Sequence, residues 1–597
     1  MSKAKLEVPH EATDGPKSSR PATESAAALA DERKSIRRVA GSAWRQLMHG
    51  KSLRKLLGLR NQPALWGLNG LVDPEVWAQW QQIVSLKKKP ATPDTDWSNR
   101  AGQWLQAWSS EPWTLASAGT AIVVARHLPQ VALHLDIATG ERLVEFLDEI
   151  AHAKAIESAD QGANLIHAWL QVELPLLVAH WLAPSESATD LHELGVLRWD
   201  AMMRDSFDGE GQPHGRDWPW LRALWASVTM ALALADADRG RRKMSKVKPA
   251  KDARLVYSWL VRQSLRSTRF DGRSTGGIDA GSWDELLALA RVALSLEGDR
   301  DDERILEVMR GKAGGKSKGL PVPGDHSEWA ETALLRGGWQ RSAAVCGINF
   351  ERRGWTIELS AEGHVLWQGS WMPSITVNGQ TLKPVSDWSS TCWETDSEVE
   401  YLELEMELEG GWRLQRQCCL ARPDCQLFLA DALLGTDSAS IHYSGRLPLA
   451  NGVQLTDLPE TTEIHMGVDR PLATLLPLAL PEWKGAAGPG SLSAATAEWT
   501  LSTQSSTLYA PLVIDLDRRR VGKELTWRAL TVAEGLEIVS NQCAMAFRYQ
   551  IGKRQWVVYR ALSHVGNRTF LGQNLSSEFL WARFDTSGDT ETLIEIE

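Results

Sequence analysis

Two periodicities divide the chain. From about residue 67 to 310 apolar side chains recur every three to four positions, and turn-forming residues break the pattern at intervals of roughly 20 to 25 residues. This spacing predicts helices over 73–86, where Val76, Trp77, Trp80 and Val84 share a stripe, and over 96–108, 114–128, 139–156, 163–182, 189–204, 219–236, 252–265 and 282–296. Thr139 and Asp190 read as helix starts, and Pro74 suits a first helical turn. After a Gly/Lys-rich stretch at 310–323 the pattern changes to alternation. Trp355, Ile357 and Leu359 alternate with Thr356 and Glu358, and over 400–409 acidic residues alternate with Leu402, Leu404, Met406 and Leu408. Asn378-Gly379, Gly410-Gly411, Pro423-Asp424 and Asn451-Gly452 separate such runs, as turns do between antiparallel strands. The alternation at 400–409 predicts a sheet with one wet face. The fold class is therefore α then β: a basic, disordered tail over 1–40, a helical domain of hairpins over 41–310, a linker over 311–330 and an antiparallel β-sandwich over 331–597.

Composition narrows the class. The 597 residues carry a net charge of −10 and are 43% hydrophobic, which excludes intrinsic disorder and a collagen-like chain. Tryptophan is in excess, 29 against 9 Phe and 6 Tyr, which suits either a sugar-stacking cleft or a tightly packed core. The six cysteines all lie in the second half with no CxxC pair, so free thiols are expected, and neither a metal site nor a redox cofactor. No signal-peptide-like apolar stretch opens the chain and no run approaches a membrane span, so a soluble, cytoplasmic protein without a membrane partner is expected. Nine Lys and Arg between Arg33 and Arg60 occur without an acid and read as a solvated basic arm. The acidic whole and the lack of a recognition motif argue against nucleic acid.

Three stretches then carry a resemblance. Residues 161–169, with Asn164 and His167, resemble a helix start of the heparinase II/III-like polysaccharide lyases. The segment Phe207-Asp208-Gly209-Glu210-Gly211-Gln212-Pro213-His214-Gly215-Arg216-Asp217-Trp218 resembles the DG loop of that family, and residues 334–371 resemble its first sandwich strands. The resemblance implies an incomplete α/α toroid joined to an antiparallel β-sandwich, and cleavage of an acidic, uronate-containing glycan by β-elimination in the groove between them. Such a reaction needs donors facing the C5 carboxylate, a base for the C5 proton and an acid for the leaving oxygen.

On this reading His214, His167 and Tyr257 are the catalytic candidates. Asn164, Arg216, Trp218, Arg273, His442 and Tyr443 are the substrate-binding ones. Asn164 and His167 share a helix face by their spacing. His214 and Arg216 lie in a Gly/Pro-containing loop where an exposed site is readily built. Trp218, Trp220, Trp371 and Trp388 are the candidate sugar-stacking surfaces. Two features depart from the resemblance: Trp218 stands where a tyrosine is expected, and a His-rich strand motif is absent from 344–352. They motivate an alternative, a carbohydrate-binding or scaffold protein that lost its acid–base pair. A toroid glycosidase using Glu210 and Asp217 is a third reading.

Overall fold

A computed structural model describes residues 53–57, 66–72, 74–78, 95–110, 112–158, 162–183, 186–242, 246–278, 280–311, 319–584 and 590–597. The expected tail, most of the basic run and most of the helix expected at 73–86 lie outside these residues.

The first half is helical, with helices Thr95–Ser110, Leu115–Arg126, Ile137–His152, Glu186–Asp205, Leu221–Arg242, Lys251–Arg266, Trp283–Glu297 and Arg300–Met309, of which Leu115–Arg126, Ile137–His152, Glu186–Asp205 and Leu221–Arg242 pack on a central helix. Their ends follow capping chemistry. Thr114 and Ser117 form a reciprocal capping box, and Asp136, rather than Thr139, caps Ile137–His152 by accepting from the Thr139 N–H at 2.9 Å. The central helix runs from Ala163 to Leu182 and widens into a π turn over Ala168–Glu173. It is apolar and long enough to cross a membrane, yet 89% of that window is buried by neighbouring helices, as expected of a core helix. Its one buried acid, Glu173, is held by both arms of Arg126, at 2.5 and 2.9 Å. A bidentate guanidinium offsets much of the cost of burying that carboxylate.

The second half opens with a five-stranded antiparallel meander: β1 (Asp325–Ser327), β2 (Thr332–Arg336), β3 (Val345–Asn349), β4 (Thr356–Ala361) and β5 (His364–Ser370). An eleven-stranded sheet follows, built around the long strands Gln426–Arg446 and Glu498–Asp515. One of its faces packs on the meander through Leu402, Leu404, Met406 and Cys418, against Leu335, Cys346, Ile348 and Leu359. The other face packs on a further five-stranded sheet through Tyr401, Cys419 and Phe428, against Tyr549, Trp556, Phe579 and Trp581. The β region is thus three stacked sheets sharing a middle layer, with a small four-stranded sheet beside them.

This layering corrects the expectation for 400–409. The acidic face is not wet throughout, because the third sheet covers its first half. There Glu403 is buried and bound by Arg560 at 2.6 and 3.0 Å, while farther along Glu405 is half-buried and Glu407 and Glu409 stand exposed. Alternation reports which side chains share a face, not whether a distant strand neutralises them.

The two halves meet over an ordered interface. Arg336 of β2 donates to the carbonyls of Arg266 and Thr268, each at 2.7 Å, and Arg269 pairs with Glu358 of β4 at 2.8 Å. Trp218, 5% exposed, lies against Gly347 of β3. A Cβ on Gly347 would come within 2.3 Å of the Thr275 methyl and 3.0 Å of the Trp218 ring, so glycine permits the close approach of strand and helical layer.

Candidate functional site

The site is built where the 207–216 loop of the helical region docks on the meander. Asp208 organises the loop: its Oδ1 accepts from the N–H groups of Glu210 and Gln212, at 2.9 and 2.8 Å. Its Oδ2 accepts from Ser327 of β1 at 2.5 Å. Gly211 has φ +76 and its missing Cβ would lie 2.2 Å from the Leu260 nitrogen, so no other residue fits this turn. The loop then crosses to the sheet. Gly215 donates to the Ala330 carbonyl at 2.7 Å, and its own carbonyl accepts from Asn349 at 2.7 Å.

These bonds fix His214, which is half-buried, beside two carboxylates. Its Nδ1 lies 3.9 Å from Glu351 Oε1, and ligand atoms of His214, Glu331 and Glu351 all fall within 4.8 Å of one another. Glu331 follows the turn after β1 with φ +55, and Arg352 has φ +56. Two non-glycine residues in this conformation are held there by the Phe350 N–H to the Glu331 carbonyl at 2.9 Å and the Arg352 N–H to Glu331 Oε2 at 3.3 Å. The Trp329 indole stands edge-on to the imidazole at a centroid distance of 5.7 Å, and is 48% exposed.

Around this centre stand the polar groups of the helix start and the loop. Asn164 donates to Asp217 Oδ2 at 2.6 Å, while Arg216 approaches the same oxygen at 3.6 Å with its guanidinium open to solvent. Burial raises the Asp217 carboxyl above its ordinary range, and the Asn164 bond partly opposes this. Arg352 is similarly exposed, 3.9 Å from Glu351. His167, one helical turn beyond Asn164, has its basicity lowered by partial burial and by the charge of Arg198, which favours a neutral imidazole.

Of the expected site residues, His214, Asn164, Arg216 and Asp217 are brought together. Tyr257 is not at the site: it is fully buried among helices, bonded to Thr229 at 2.9 Å and packed on Trp199. Tyr443 is 1% exposed and donates to Asp431 inside the sandwich, while its neighbour His442 faces the opposite, solvent side and bonds Ser502 at 2.9 Å. Adjacent strand residues must diverge in this way. Arg273 is exposed on the following loop, near Asp271 at 3.8 Å. Trp218 is domain-interface packing, not a stacking surface, and Trp220, Trp371 and Trp388 are buried as well. Trp355, Trp371 and Trp388 instead enclose Arg416 at 4.4–5.5 Å, which also binds Asp431 with both arms. All six tyrosines are buried.

Sequence reasoning missed Trp329, Glu331, Glu351 and Arg352. Their only local signal was a cluster of charged and aromatic residues flanking β2 and β3.

No protein-family profile and no curated protein sequence matches the chain. Solved structures do. A heparan sulfate lyase from Pedobacter heparinus superposes with a TM-score of 0.51 at 12% identity, over 82% of this chain and 78% of that one. A heparinase III structure gives 0.51 at 12% identity, over 81% and 80%. The fold is that of polysaccharide lyases. In this lyase fold the helical half is the α/α toroid, and the 207–216 loop lies where toroid and β domain meet.

Proposed function

We propose that the chain is a polysaccharide lyase that cleaves a uronate-containing glycan by β-elimination at the junction around His214. The observation that carries this reading is the placement of one half-buried imidazole beside an exposed indole, with the exposed side chains of Arg216, two residues along the loop, and of Arg352, 3.9 Å from the Glu351 that faces the imidazole. Trp329 offers a face for a sugar ring. Arg216 and Arg352 supply positive charge for the C5 carboxylate, which must be neutralised before the C5 proton becomes acidic enough to leave. Asn164 adds an amide at the helix start, already turned toward Asp217.

His214 then takes the C5 proton, the C5–H electrons form the C4–C5 double bond, the C4–O4 bond breaks, and the imidazolium returns the proton to O4. With every tyrosine buried, the imidazole serves as both base and acid. One side chain reaches both atoms only when the C5 proton and the C4–O4 bond lie on the same ring face, which favours glucuronate-type over epimeric uronates.

Incubation with a panel of uronate polymers tests the reading. Near-ultraviolet absorbance of an unsaturated uronide should appear, greatest on glucuronate-type polymers, and His214→Ala should abolish it. The buried tyrosines favour one second reading, a glycan-binding protein without turnover. Saturable glycan binding with no absorbance across the panel would establish that reading in place of the first.

A further inference from the structure

We infer that His214, Glu331 and Glu351 form a binding site for a divalent transition ion of the Zn2+ or Mn2+ kind, shared between the two domains. The three side chains come from separate segments, the 207–216 loop, the turn before β2 and the residues after β3, yet their ligand atoms lie within 4.8 Å of one another. Ligands around such an ion stand about 3–4 Å apart at bond lengths near 2.1 Å, so small side-chain rotations close the sphere.

The backbone beneath is already fixed. Gly215 is bonded on both sides to the meander, the Glu351 N–H donates to Asn349 Oδ1 at 3.0 Å, and Glu331 is locked between Phe350 and Arg352. The His214 Nδ1 that faces Glu351 receives only a long contact, 3.4 Å, from the Arg216 N–H, so its lone pair is weakly engaged. Two half-buried carboxylates converge on this imidazole. The nearest Arg or Lys to Glu351 is Arg352, at 3.9 Å and with its side chain 75% exposed, a geometry that leaves most of the local negative charge uncompensated. A dication supplies that compensation.

One imidazole and two carboxylates, with room for solvent or a glycan oxygen, suit a borderline ion. Calcium, which takes six to eight oxygens, is the poorer match. Occupation of Nδ1 removes the lone pair that proton abstraction requires, so ion binding and base catalysis by His214 exclude one another. The site itself stands without the lyase reading.

Electron paramagnetic resonance titration of Mn2+ into the chelator-treated full chain gives a direct measure, because manganese binds the free cysteines poorly. One ion per chain is expected, displaced by Zn2+ but not by equimolar Ca2+, with affinity lowered roughly tenfold or more in Glu331→Gln and Glu351→Gln and lost in His214→Ala. The glutamine variants keep the side-chain shape, and their unchanged circular dichroism keeps the test decisive should His214→Ala fail to fold. No bound manganese, or binding that the glutamine variants leave untouched, would overturn the site. Neither result depends on turnover, so a failed lyase assay and a failed metal site remain distinct outcomes.

Discussion

Asn349 on the last residue of β3 reaches across the domain boundary to the backbone of Gly215. Its Nδ2 donates to the Gly215 carbonyl at 2.7 Å, while its Oδ1 accepts from the Glu351 N–H at 3.0 Å. One side chain therefore sets the positions of both His214 and Glu351. Asn349→Ala strands a buried carbonyl and frees the loop. A loss of about 1–2 kcal/mol in unfolding free energy is expected, with a larger fall in glycan affinity or turnover than this stability loss explains. Equal binding by the variant and the parent would count against the loop's role.

Trp329 is the sugar platform on this reading, and nearly half of its surface is open to solvent. Trp329→Ala should lower glycan affinity about tenfold, or 1.4 kcal/mol, while leaving the melting temperature nearly unchanged. Unaltered affinity in a calorimetric titration would refute the stacking role.

Trp218→Tyr is expected to restore no proton-transfer group, although it places a tyrosine where the family resemblance asks for one. The side chain is buried against Gly347, Thr275 and Gly276, so the new hydroxyl is desolvated and the interface is left underfilled. A destabilisation of about 1–3 kcal/mol should result, with no gain in uronide absorbance. A gain in turnover would show that the ring reaches the groove after all.

Glu400 gives the domain junction a pH dependence. It is fully buried, accepts from the Arg336 N–H and from Arg422, and its pKa is raised to about 7 by burial in spite of Arg422. The unfolded carboxyl titrates near 4.5. Between these values the unfolded chain has released its proton while the folded one keeps it, so this group's contribution to stability falls as pH rises from about 4.5 to 7 and levels off above. Glu400→Gln stays neutral throughout. Its stability relative to the parent should rise across that window by up to roughly 3 kcal/mol. A flat difference in denaturant unfolding between pH 4.5 and 7 would rule out the effect.

Arg216 and Arg352 are both exposed; the first follows His214 in the loop and the second lies 3.9 Å from Glu351, which faces His214. Replacing either by Gln should weaken binding of an anionic glycan and reduce its salt dependence, because each guanidinium is screened by mobile ions until the polymer displaces them. Salt dependence identical to the parent in both variants would exclude them as carboxylate partners.

The sequence by itself determined the order of the helical and β regions and the loop that carries the imidazole. A period near 3.6 before residue 310 and near 2 afterwards follows from which face of each element must be buried, and that requirement is local. Asp208-Gly209 and the glycines and proline after them likewise mark a loop from their own chemistry. Tertiary structure alone decided which side chains meet at that turn. The Gly215–Asn349 bond joins residues 134 positions apart, and nothing in either segment specifies the other. The same holds for aromatic exposure. Trp218 and Trp329 both sit beside polar residues in sequence, yet Trp218 is pressed against Gly347 of an incoming strand while Trp329 projects beyond it. Periodicity fixes a side chain's face on its own element. Whether that face meets solvent, a sheet or a buried counter-charge is settled only when distant elements pack, because burial and electrostatic energy depend on neighbours in space.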